Sequence, residues 1–436
     1  MRPRDFLKID FPLFFAAVIL TVFGILFIYS SGFSSTGDRS SSEYTKQIVW
    51  AVAGIAIALT LAMVNFRRLY DLSFYLYAGT IALLLYTCFF GRLVNGARAW
   101  IGIGSFGIQP SEFAKITTIL FLARHLDATR HSQNELSRFA FSCLYVLIPM
   151  GIILLQPDFG TSLVFIPILL ALTYIGGITM RYIAFLGGVI ILAGLMMVLP
   201  LWQETILDGA FPVLMIFRNP RFVLFSAFVL SLITGIALYG FRRYKRPCFF
   251  WICYAASMLI FSILGSFAAA RVLKDYQLMR LIVFLDPNVD PRGSGWHIIQ
   301  SMTAIGSGGL MGKGFLQGTQ SHYRFLPQQS TDFIFSIFTE EWGLLGGLLV
   351  FGLFLLICLR LVKIIKTTSD NFGAYIASGL AAMYSFHFLI NVGMAMGVMP
   401  ITGIPLLFMS YGGSALISAM AGVGLAMSIH VRRFLR

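Results

Sequence analysis

The acidic residues of this chain are the ones most able to do chemistry. They are few, and several of them lie beside or inside long apolar runs. Among 436 residues there are only 18 Asp and Glu. A carboxylate at membrane depth is costly, so it normally faces a cavity or pairs with another polar group. A positioned carboxylate can also remove a proton from a reacting hydroxyl group. The acids are therefore the first candidates for a functional site.

Two aspartates, Asp286 and Asp290, lie in one polar segment. Each precedes a proline, which disfavours helix at the aspartate, and Gly293 and Gly295 permit tight backbone turns. On spacing alone, the simpler interpretation is that both aspartates form Asx-type turns with nearby backbone. The alternative is that one of them is a reactive carboxylate. His297 is of interest because it shares this segment with Asp290.

A glycine-rich stretch follows, with five glycines among the nine positions 306–314. Glycine lets the backbone approach a ligand closely, and exposed amide groups together with Lys313 would suit a phosphate. A tight re-entrant turn packed against helices explains the same composition equally well.

Charged residues also mark the starts of two other apolar runs. Glu112 and Lys115 stand three residues apart, just after Pro110. On a helix this spacing makes them neighbours that can form an ion pair; alternatively, Lys115 reaches into a cavity to bind an anion. Asp158 lies at a junction, where capping the helix that begins near Gly160 is the simplest role.

Glu340 and Glu341 lie more than one turn inside a long apolar helix that opens near Asp332. We expect both glutamates to pair with Arg or Lys from nearby loops, whereas Asp332 is interpreted as a charge at the helix N-terminus. The six histidines and five cysteines have no metal-ligand spacing, and the cysteines form no disulfide pattern.

The composition defines the class of protein that must position these residues. Hydrophobic residues make up 58% of the chain and charged residues 11%, against about 25% charged in a soluble domain. A soluble enzyme, a coiled coil and a disordered chain are excluded. The sequence predicts an all-α polytopic membrane protein with about twelve transmembrane helices, since each needs roughly 20 apolar residues. The predicted spans are 11–31, 47–65, 72–90, 111–124, 139–155, 160–177, 182–201, 222–241, 248–270, 333–361, 372–394 and 405–430.

The charge distribution predicts the orientation of the chain, because Lys and Arg collect in loops that stay in the cytoplasm. With both termini cytoplasmic, the inner segments hold 19 of the 32 basic residues and six of the 18 acids, a net charge of +13, which leaves +1 for the outer face. The same rule explains the formal net charge of +14 without a nucleic-acid partner. We expect the chemistry on the outer face, in the polar segments 91–110, 156–159, 271–332 and 395–404.

Taken together, these motifs resemble one family. The ordered set comprises Gly96–Ile101, Gln109–Glu112 with Lys115, Gln156–Thr161, Asp290–Gln300, Ala304–Gly309, Thr331–Phe335, Pro400–Pro405 and Ser410–Gly413. In their order along the chain and in their predicted position on the outer face, these motifs are similar to those of the shape, elongation, division and sporulation (SEDS) family. The similarity covers nearly the whole chain. Residues 318–321 and 325–327 resemble the elongation members more than the division members.

The resemblance implies a peptidoglycan glycosyltransferase of the bacterial cytoplasmic membrane. Such an enzyme polymerises lipid II into β1,4-linked glycan strands on the extracytoplasmic face during cell elongation, and takes its substrate from membrane lipid. The implied partner is a class B penicillin-binding protein that cross-links the glycans. A lipid-linked precursor transporter, a scaffold that recruits a transpeptidase and a division-type member of the family are the alternatives.

The resemblance also implies one transmembrane domain over 1–436, built on a family core of ten spans. Residues 205–270 are interpreted as an inserted helical pair, which leaves the orientation unchanged. Residues 271–332 are interpreted as a large extracytoplasmic catalytic loop.

In that family the aspartate of an Asp-Pro-x-Gly-x-Gly step is essential, which assigns the role of general base to Asp290 rather than Asp286. Positive charge for the leaving pyrophosphate is expected from Lys115, Arg280, Lys313 and Arg324. A divalent cation, Mg²⁺ or Mn²⁺, could share that work, although the side chains dictate no metal; no other cofactor is expected. Trp100 could stack on a sugar ring or anchor the chain at the membrane interface. The predicted substrate-binding residues are Trp100, Glu112, Lys115, Asp158, Arg280, His297, Gln300, Lys313, Gln320 and Glu341.

Overall fold

The computed structural model describes residues 10–33, 42–94, 96–103, 106–205, 219–273, 275–291, 293–323, 325–326 and 328–433. Over this part of the chain, the N-terminal half contains α1 (Phe11–Ser31), α2 (Glu43–Met63), α3 (Arg68–Phe90), β1 (Arg92–Val94), β2 (Ala97–Ile103), β3 (Phe106–Ile108), α4 (Pro110–Ala128), α5 (Glu135–Leu155), α6 (Phe159–Leu163), α7 (Phe165–Ile175) and α8 (Met180–Thr205). The C-terminal half contains α9 (Pro220–Tyr244), α10 (Pro247–Val272), α11 (Asp275–Leu285), a 3-10 helix (Pro287–Val289), α12 (Ser294–Ser307), α13 (Thr319–His322), α14 (Ile334–Thr367), α15 (Asn371–Ala395) and α16 (Gly413–Val431).

Within the described residues, ten helices are long and apolar enough to cross a membrane, which confirms the predicted polytopic helical fold. They are α1, α2, α3, α5, α8, α9, α10, α14, α15 and α16. The other two predicted spans coincide with α4, which carries charged residues, and with the shorter apolar stretch Phe159–Ile175 formed by α6 and α7. The count of twelve spans stays a prediction.

The chain divides into two compact units. The first unit comprises Met1–Gly177 and His297–Arg436, and the second comprises Ile178–Trp296. The second unit includes all of the predicted insertion 205–270, of which residues 206–218 lie outside the described part of the chain. The predicted outer segment 271–332 contains α11, the 3-10 helix, α12 and α13, so it has more regular structure than its composition indicates.

Small residues form the most extensive helix contact of the first unit, between α2 and α16. Along α2, the buried residues Ala51, Gly54, Ala58 and Ala62 recur every three or four positions and therefore share one face. A Cβ atom added to Gly424 of α16 would lie 2.5 Å from the carbonyl oxygen of Ala58. Close backbone approach through small residues is typical of membrane helices, because leaving lipid for another helix brings no hydrophobic gain.

Helix α14 is interrupted at Gly343, whose φ of 66° and ψ of −163° are not helical. An unbroken helix of its 34 residues would be about 51 Å long, well beyond a hydrocarbon core of about 30 Å. The break separates a buried N-terminal segment, which carries Glu340 and Glu341, from a longer apolar segment that begins at Leu344.

A three-stranded antiparallel sheet in the order β1-β2-β3 occupies the segment 91–110, where the sequence predicts no strand. Arg92 of β1 pairs with Trp100 of β2, and Ile101 of β2 pairs with Ile108 of β3. The turn after β1 includes Gly96 with a φ of 84°, which suits a tight hairpin. Strands β1 and β3 have only three residues each, which is too few for an alternating pattern to reveal.

The second unit is built on α8, α9 and α10, with α10 packed against both other helices. Helix α9 ends before Lys245, whose left-handed conformation (φ 51°) helps the chain turn, and α10 begins with Pro247 in its first turn. Large apolar side chains on these helices are exposed, among them Phe225, Ile236 and Trp251. Such surfaces are expected where helices face lipid rather than water.

Candidate active site

A buried ion pair, Glu112 and Lys115, lies in the first two turns of α4. The helix begins at Pro110, where a missing N–H is tolerated. Lys115 Nζ donates hydrogen bonds to Glu112 Oε1 at 2.9 Å and to Glu112 Oε2 at 2.8 Å. The exposed fractions of the two residues are 2% and 1%. The ion pair that the spacing favours is therefore present, and it is buried.

His387 of α15 is the third member of this site. Its Nε2 lies 3.0 Å from Lys115 Nζ, and its Nδ1 lies 3.0 Å from the carbonyl oxygen of Pro405. His387 is 1% exposed. Nothing in the local spacing of His387 indicates a contact 272 residues away, so the sequence alone does not single it out. Glu112, Lys115 and His387 are called the ion cluster below.

The ion cluster keeps a cation inside the protein by surrounding it with acceptors. An ammonium group has three hydrogens and no acceptor, and the three acceptor atoms of Glu112 and His387 match that number. The carboxylate compensates the charge of Lys115, without which burial would be strongly unfavourable. Because such surroundings have a low dielectric constant, the ammonium group and the carboxylate attract each other strongly.

Asp158 connects the start of α4 to the start of α6. Its Oδ1 accepts from the backbone N–H of Thr161 at 3.2 Å, which confirms the predicted capping role, and its Oδ2 accepts from Gln109 Nε2 at 2.8 Å. Burial raises the pKa of Asp158, the hydrogen bonds from Thr161 oppose this rise, and the charges of Glu112 and Lys115 act on it in opposite directions. Asp158 and the ion cluster thus share one electrostatic environment.

Several buried polar atoms beside these groups have no hydrogen-bond partner among the described residues. They are Ser111 Oγ, Gln156 Oε1, Asn391 Oδ1 and Thr402 Oγ1. Buried polar atoms are normally satisfied by protein, water or ligand. Ser111 directly precedes Glu112, and Asn391 lies one turn after His387 on α15. Water or a polar ligand beside the ion cluster would satisfy these atoms.

A second buried carboxylate site lies just before the break in α14. Glu340 Oε1 accepts hydrogen bonds from Lys313 Nζ at 2.7 Å and from the backbone N–H groups of Thr319 and Gln320 at 2.8 and 3.0 Å. Glu340 is 0% exposed. The predicted pairing of Glu340 with a basic residue is confirmed, and Gln320 contributes its backbone N–H to the same site.

Glu341 contacts a different part of the same unit. Its Oε1 accepts from the hydroxyl group of Ser30 on α1, and its Oε2 accepts from the backbone N–H of Leu316 at 3.0 Å. These partners are neutral, so the expectation of an Arg or Lys partner is wrong for Glu341; the segment after Lys313 supplies a backbone donor instead. Glu340, Glu341 and the segment 313–320 are called the carboxylate clamp below.

The glycine-rich segment compensates the break in α14. Four backbone hydrogen bonds of 2.9–3.2 Å join residues 309–314 to residues 340–345. They run from the N–H groups of Lys313, Gly314, Leu344 and Leu345 to the carbonyls of Glu340, Glu341, Gly309 and Leu310. These bonds satisfy backbone groups that the non-helical Gly343 releases. The structure therefore shows the tight turn against a helix that the sequence leaves as one of two interpretations.

Trp100 lies half-buried on β2. A Cβ atom added to Gly107 of β3 would lie 2.9 Å from Trp100 Cε3, so the indole ring lies over the sheet where glycine leaves space. Both interpretations of Trp100, as a sugar platform and as a membrane anchor, stay predictions.

Asp290 and Arg280 belong to the second unit. Asp290 Oδ1 accepts from the backbone N–H of Gly293 at 3.0 Å, directly after the 3-10 helix. Asp286 Oδ1 similarly accepts from the backbone N–H of Asn288 at 2.9 Å. Asp286 thus forms the Asx turn that the spacing favours, whereas Asp290 accepts from the N–H three residues on. Each contact orients its carboxylate without assigning it a chemical role. Arg280 is half-buried on α11.

The remaining predicted residues lie on α12 or outside the described chain. The ring of His297 stacks on Phe333, with centroids 6.1 Å apart and planes at 4°. Gln300 is half-buried one turn further along α12, and Arg324 lies outside the described residues. Among the described residues, no group of three or more His, Cys, Asp and Glu side chains is placed to hold a metal ion. These side chains do not by themselves make a metal site.

Fold and site together define a polytopic membrane protein with charged side chains buried inside its helical bundle. Residues 10–226 and 248–434 match the profile of the FtsW, RodA and SpoVE family of cell cycle proteins, and the chain belongs to that family. The SEDS resemblance of the motifs is therefore confirmed. The unmatched residues between the two segments fall in α9, in the turn after it and at the first residue of α10.

Relatives extend over the whole chain. It is 51% identical over 435 residues to the peptidoglycan glycosyltransferase RodA of Treponema pallidum (strain Nichols), with 99% of this chain and 100% of that protein covered. It is 31% identical over 429 residues to the peptidoglycan glycosyltransferase MrdB of Escherichia coli (strain K12), with 98% and 95% covered. Among solved structures it is similar to a chain of a peptidoglycan synthase complex that coordinates polymerization and crosslinking. For that chain the TM-score is 0.67, the identity is 28%, and the coverage is 98% of this chain and 99% of the other.

Proposed function

We propose that this chain is a peptidoglycan glycosyltransferase that polymerises lipid II into β1,4-linked glycan strands. The observation that carries the proposal is the 51% identity to a peptidoglycan glycosyltransferase over the full length of both chains. That alignment includes the segments that form the ion cluster, the carboxylate clamp and the Asp290 turn. It favours polymerisation over transport of a lipid-linked precursor, which the sequence alone leaves open.

In the proposed reaction, the 4-hydroxyl oxygen of a GlcNAc on one lipid-linked substrate attacks C1 of a MurNAc on another. The bond from C1 to the pyrophosphate oxygen breaks as the new bond from C1 to the hydroxyl oxygen forms. One displacement converts the α-linked donor into a β-linked product, and undecaprenyl pyrophosphate leaves. The hydroxyl proton needs a base, and the leaving group needs compensation of its negative charge.

Asp290 is the proposed base. Its turn places the carboxylate at the end of a short 3-10 helix, where the N–H of Gly293 holds one oxygen. Held in this way, the carboxylate has a defined direction and keeps its capacity as a proton acceptor. A base with fixed geometry removes a proton more effectively than one that must be ordered during the reaction.

Lys115 is the proposed stabiliser of the leaving pyrophosphate. Its buried ammonium group acts on phosphate charge with little screening by water. Glu112 holds the ammonium group in place while no anion is bound. The carboxylate clamp has a supporting role, because its contacts fix the segment 313–320 and the start of α14 rather than present a carboxylate to solvent. Trp100, Asp158, Arg280, His297 and Gln300 stay predicted substrate contacts, whereas Lys313, Gln320 and Glu341, predicted from the sequence as substrate contacts, act here through the carboxylate clamp.

The proposed setting is the bacterial cytoplasmic membrane, with both termini in the cytoplasm and the reaction on the extracytoplasmic face. The proposed partner is a class B penicillin-binding protein, which is supported by the similarity to a chain of a synthase complex that couples polymerization to crosslinking. A role in elongation rather than division is supported by the 51% identity to a protein named RodA. A requirement for Mg²⁺ or Mn²⁺ stays a prediction, and measuring the polymerisation rate with and without EDTA tests it.

The test is glycan synthesis from lipid II by the purified protein with its partner, read on a gel. We expect Asp290→Asn to abolish polymerisation, because an amide cannot take up the hydroxyl proton. The matched control is Asp286→Asn, which changes a neighbouring aspartate whose side chain also accepts from a nearby backbone N–H and should leave the rate within a few-fold of wild type. Equal rates for Asp290→Asn and wild type would show that the base is another group.

A further inference from the structure

We propose that His387 is a positioning residue for the reaction, which holds the Lys115 ammonium group by accepting its third hydrogen bond. The proposal rests on the proposed function, in which Lys115 acts on the leaving pyrophosphate. His387 does not contact the reacting atoms in this account, and it acts through Lys115.

The Pro405 carbonyl determines which ring nitrogen of His387 carries the hydrogen. A carbonyl can only accept, so Nδ1 at 3.0 Å must be the donor. In the neutral ring, Nε2 then carries a lone pair. Lys115 Nζ lies 3.0 Å from that nitrogen and has only hydrogens to offer. The network therefore assigns one tautomer, with Lys115 donating to His387.

His387 gives Lys115 a contact that Glu112 cannot supply. Glu112 and Lys115 lie on the same helix, and a lysine side chain has several rotatable bonds. A carboxylate on one side of the ammonium group therefore leaves the direction of the lysine side chain adjustable. The third acceptor comes from another helix, α15, and its distance of 3.0 Å is close to those of the two carboxylate contacts. Acceptors on two helices fix the position of the ammonium group in the bundle.

The His387 ring is itself held in place. Asn391 lies four residues later, on the same face of α15, and its Nδ2 donates to the carbonyl of Ile404 at 2.8 Å. His387 and Asn391 thus bind the consecutive carbonyls of Ile404 and Pro405. Because two side chains hold one stretch of backbone, the ring cannot turn without disturbing the connection between α15 and α16.

The test compares polymerisation by two variants at this position. His387→Gln keeps a carbonyl oxygen that can accept from Lys115 and an amide that can donate to Pro405, whereas His387→Met keeps an unbranched side chain without strong hydrogen bonding. We expect His387→Met to lower kcat about 10- to 100-fold, the effect of leaving one buried charged donor without its partner. We expect His387→Gln to stay within about fivefold of wild type, with KM little changed in both.

The control is Tyr384→Phe on the same helix. The Tyr384 hydroxyl donates to the carbonyl of Ala419 at 2.7 Å and is buried, so this variant also loses one buried hydrogen bond, made to the backbone of α16 rather than to Lys115. It should lower the free energy of unfolding and leave kcat unchanged. A role of His387 in packing alone predicts the opposite order, with Met at least as active as Gln, and that order would overturn the proposal.

A measurement independent of activity separates this proposal from the proposed function. In ¹⁵N NMR of histidine-labelled wild-type protein, the signal of His387 is assigned as the one that disappears in His387→Gln. That signal should show a protonated Nδ1 and an unprotonated Nε2. The other tautomer, or a doubly protonated ring, would overturn the assignment. If wild-type protein makes no glycan, the proposed function fails and with it the catalytic role of the contact, while the NMR result still decides whether Lys115 donates to His387.

Discussion

Removing Lys115 alone should be far more damaging to stability than removing both charges of its ion pair. The side chains of Lys115 and Glu112 are 1% and 3% exposed, so Lys115→Met leaves a carboxylate without its cation inside the bundle. Breaking a buried pair in this way costs about 3–5 kcal/mol. His387 Nε2 loses its donor in the same variant. We expect a loss near the lower end of this range, about 3 kcal/mol.

The double variant Glu112→Gln, Lys115→Met removes both charges and should regain most of that loss. Replacing a buried ion pair by neutral groups of similar size is often close to neutral in free energy, so we expect it within about 1 kcal/mol of wild type. The double variant should therefore be at least about 2 kcal/mol more stable than Lys115→Met alone. The assay is unfolding of the purified protein in mixed micelles by titration with denaturing detergent.

Activity should not follow stability in this pair of variants. The double variant should fold well, because both charges are removed together. Because it lacks the buried cation, it should polymerise lipid II at least 100-fold more slowly than wild type, which corresponds to a loss of about 3 kcal/mol of charge stabilisation. A double variant with near wild-type kcat would show that Lys115 is a structural residue only. A cost below about 1 kcal/mol for Lys115→Met would contradict the buried ion pair itself.

Two further predictions concern the other features of the first unit. Gly312→Ala should destabilise by about 2 kcal/mol or more, since Gly312 has a φ of +81° and an added Cβ would lie 2.6 Å from the backbone nitrogen of Trp342. Gly306→Ala is its control, because Gly306 is helical with open space around an added Cβ, and it should be neutral or stabilising. The pKa of Asp158 is raised by burial, so the folded state binds the Asp158 proton more tightly than the unfolded chain does. The contribution of Asp158 to the free energy of unfolding therefore falls as pH rises from about 3.8 through the raised pKa. Asp158→Asn should remove that part of the pH dependence in unfolding titrations, and an unchanged profile would contradict the burial argument.

Local spacing predicts the parts of the site that lie close together in sequence. The i, i+3 relation of Glu112 and Lys115 predicts their ion pair, and the Asp-Pro and glycine pattern predicts the turns at Asp286 and Asp290. Asp158 beside the apolar run from Gly160 predicts its capping role. Each of these depends on backbone geometry within four residues, which a sequence reports directly.

Contacts between distant segments are not available from such spacing. His387 reaches Lys115 only because α15 packs against α4, and a single histidine on an apolar helix carries no sign of that neighbour. The partners of Glu341 are equally hidden, since a serine of α1 and a backbone amide look ordinary in sequence. The break at Gly343 and the turn that compensates it require two segments to be seen together.

Composition predicts the helical spans better than the segments between them. Long apolar runs leave little choice of structure in a membrane, and ten of the predicted spans correspond to helices that are long and apolar enough. The short hairpins of β1, β2 and β3 depend on a few paired residues in a polar segment, which hydropathy does not describe. The helices within 271–332 escape prediction for the same reason.

The proposed function requires this chain to form glycosidic bonds between lipid-linked sugars. Its test follows undecaprenyl pyrophosphate release and disaccharide incorporation together, with purified protein, its partner and lipid II in proteoliposomes. Wild-type protein should release one pyrophosphate for each disaccharide added, and Asp290→Asn should give neither product. Movement of lipid II across the bilayer without either product would show a transporter rather than a polymerase.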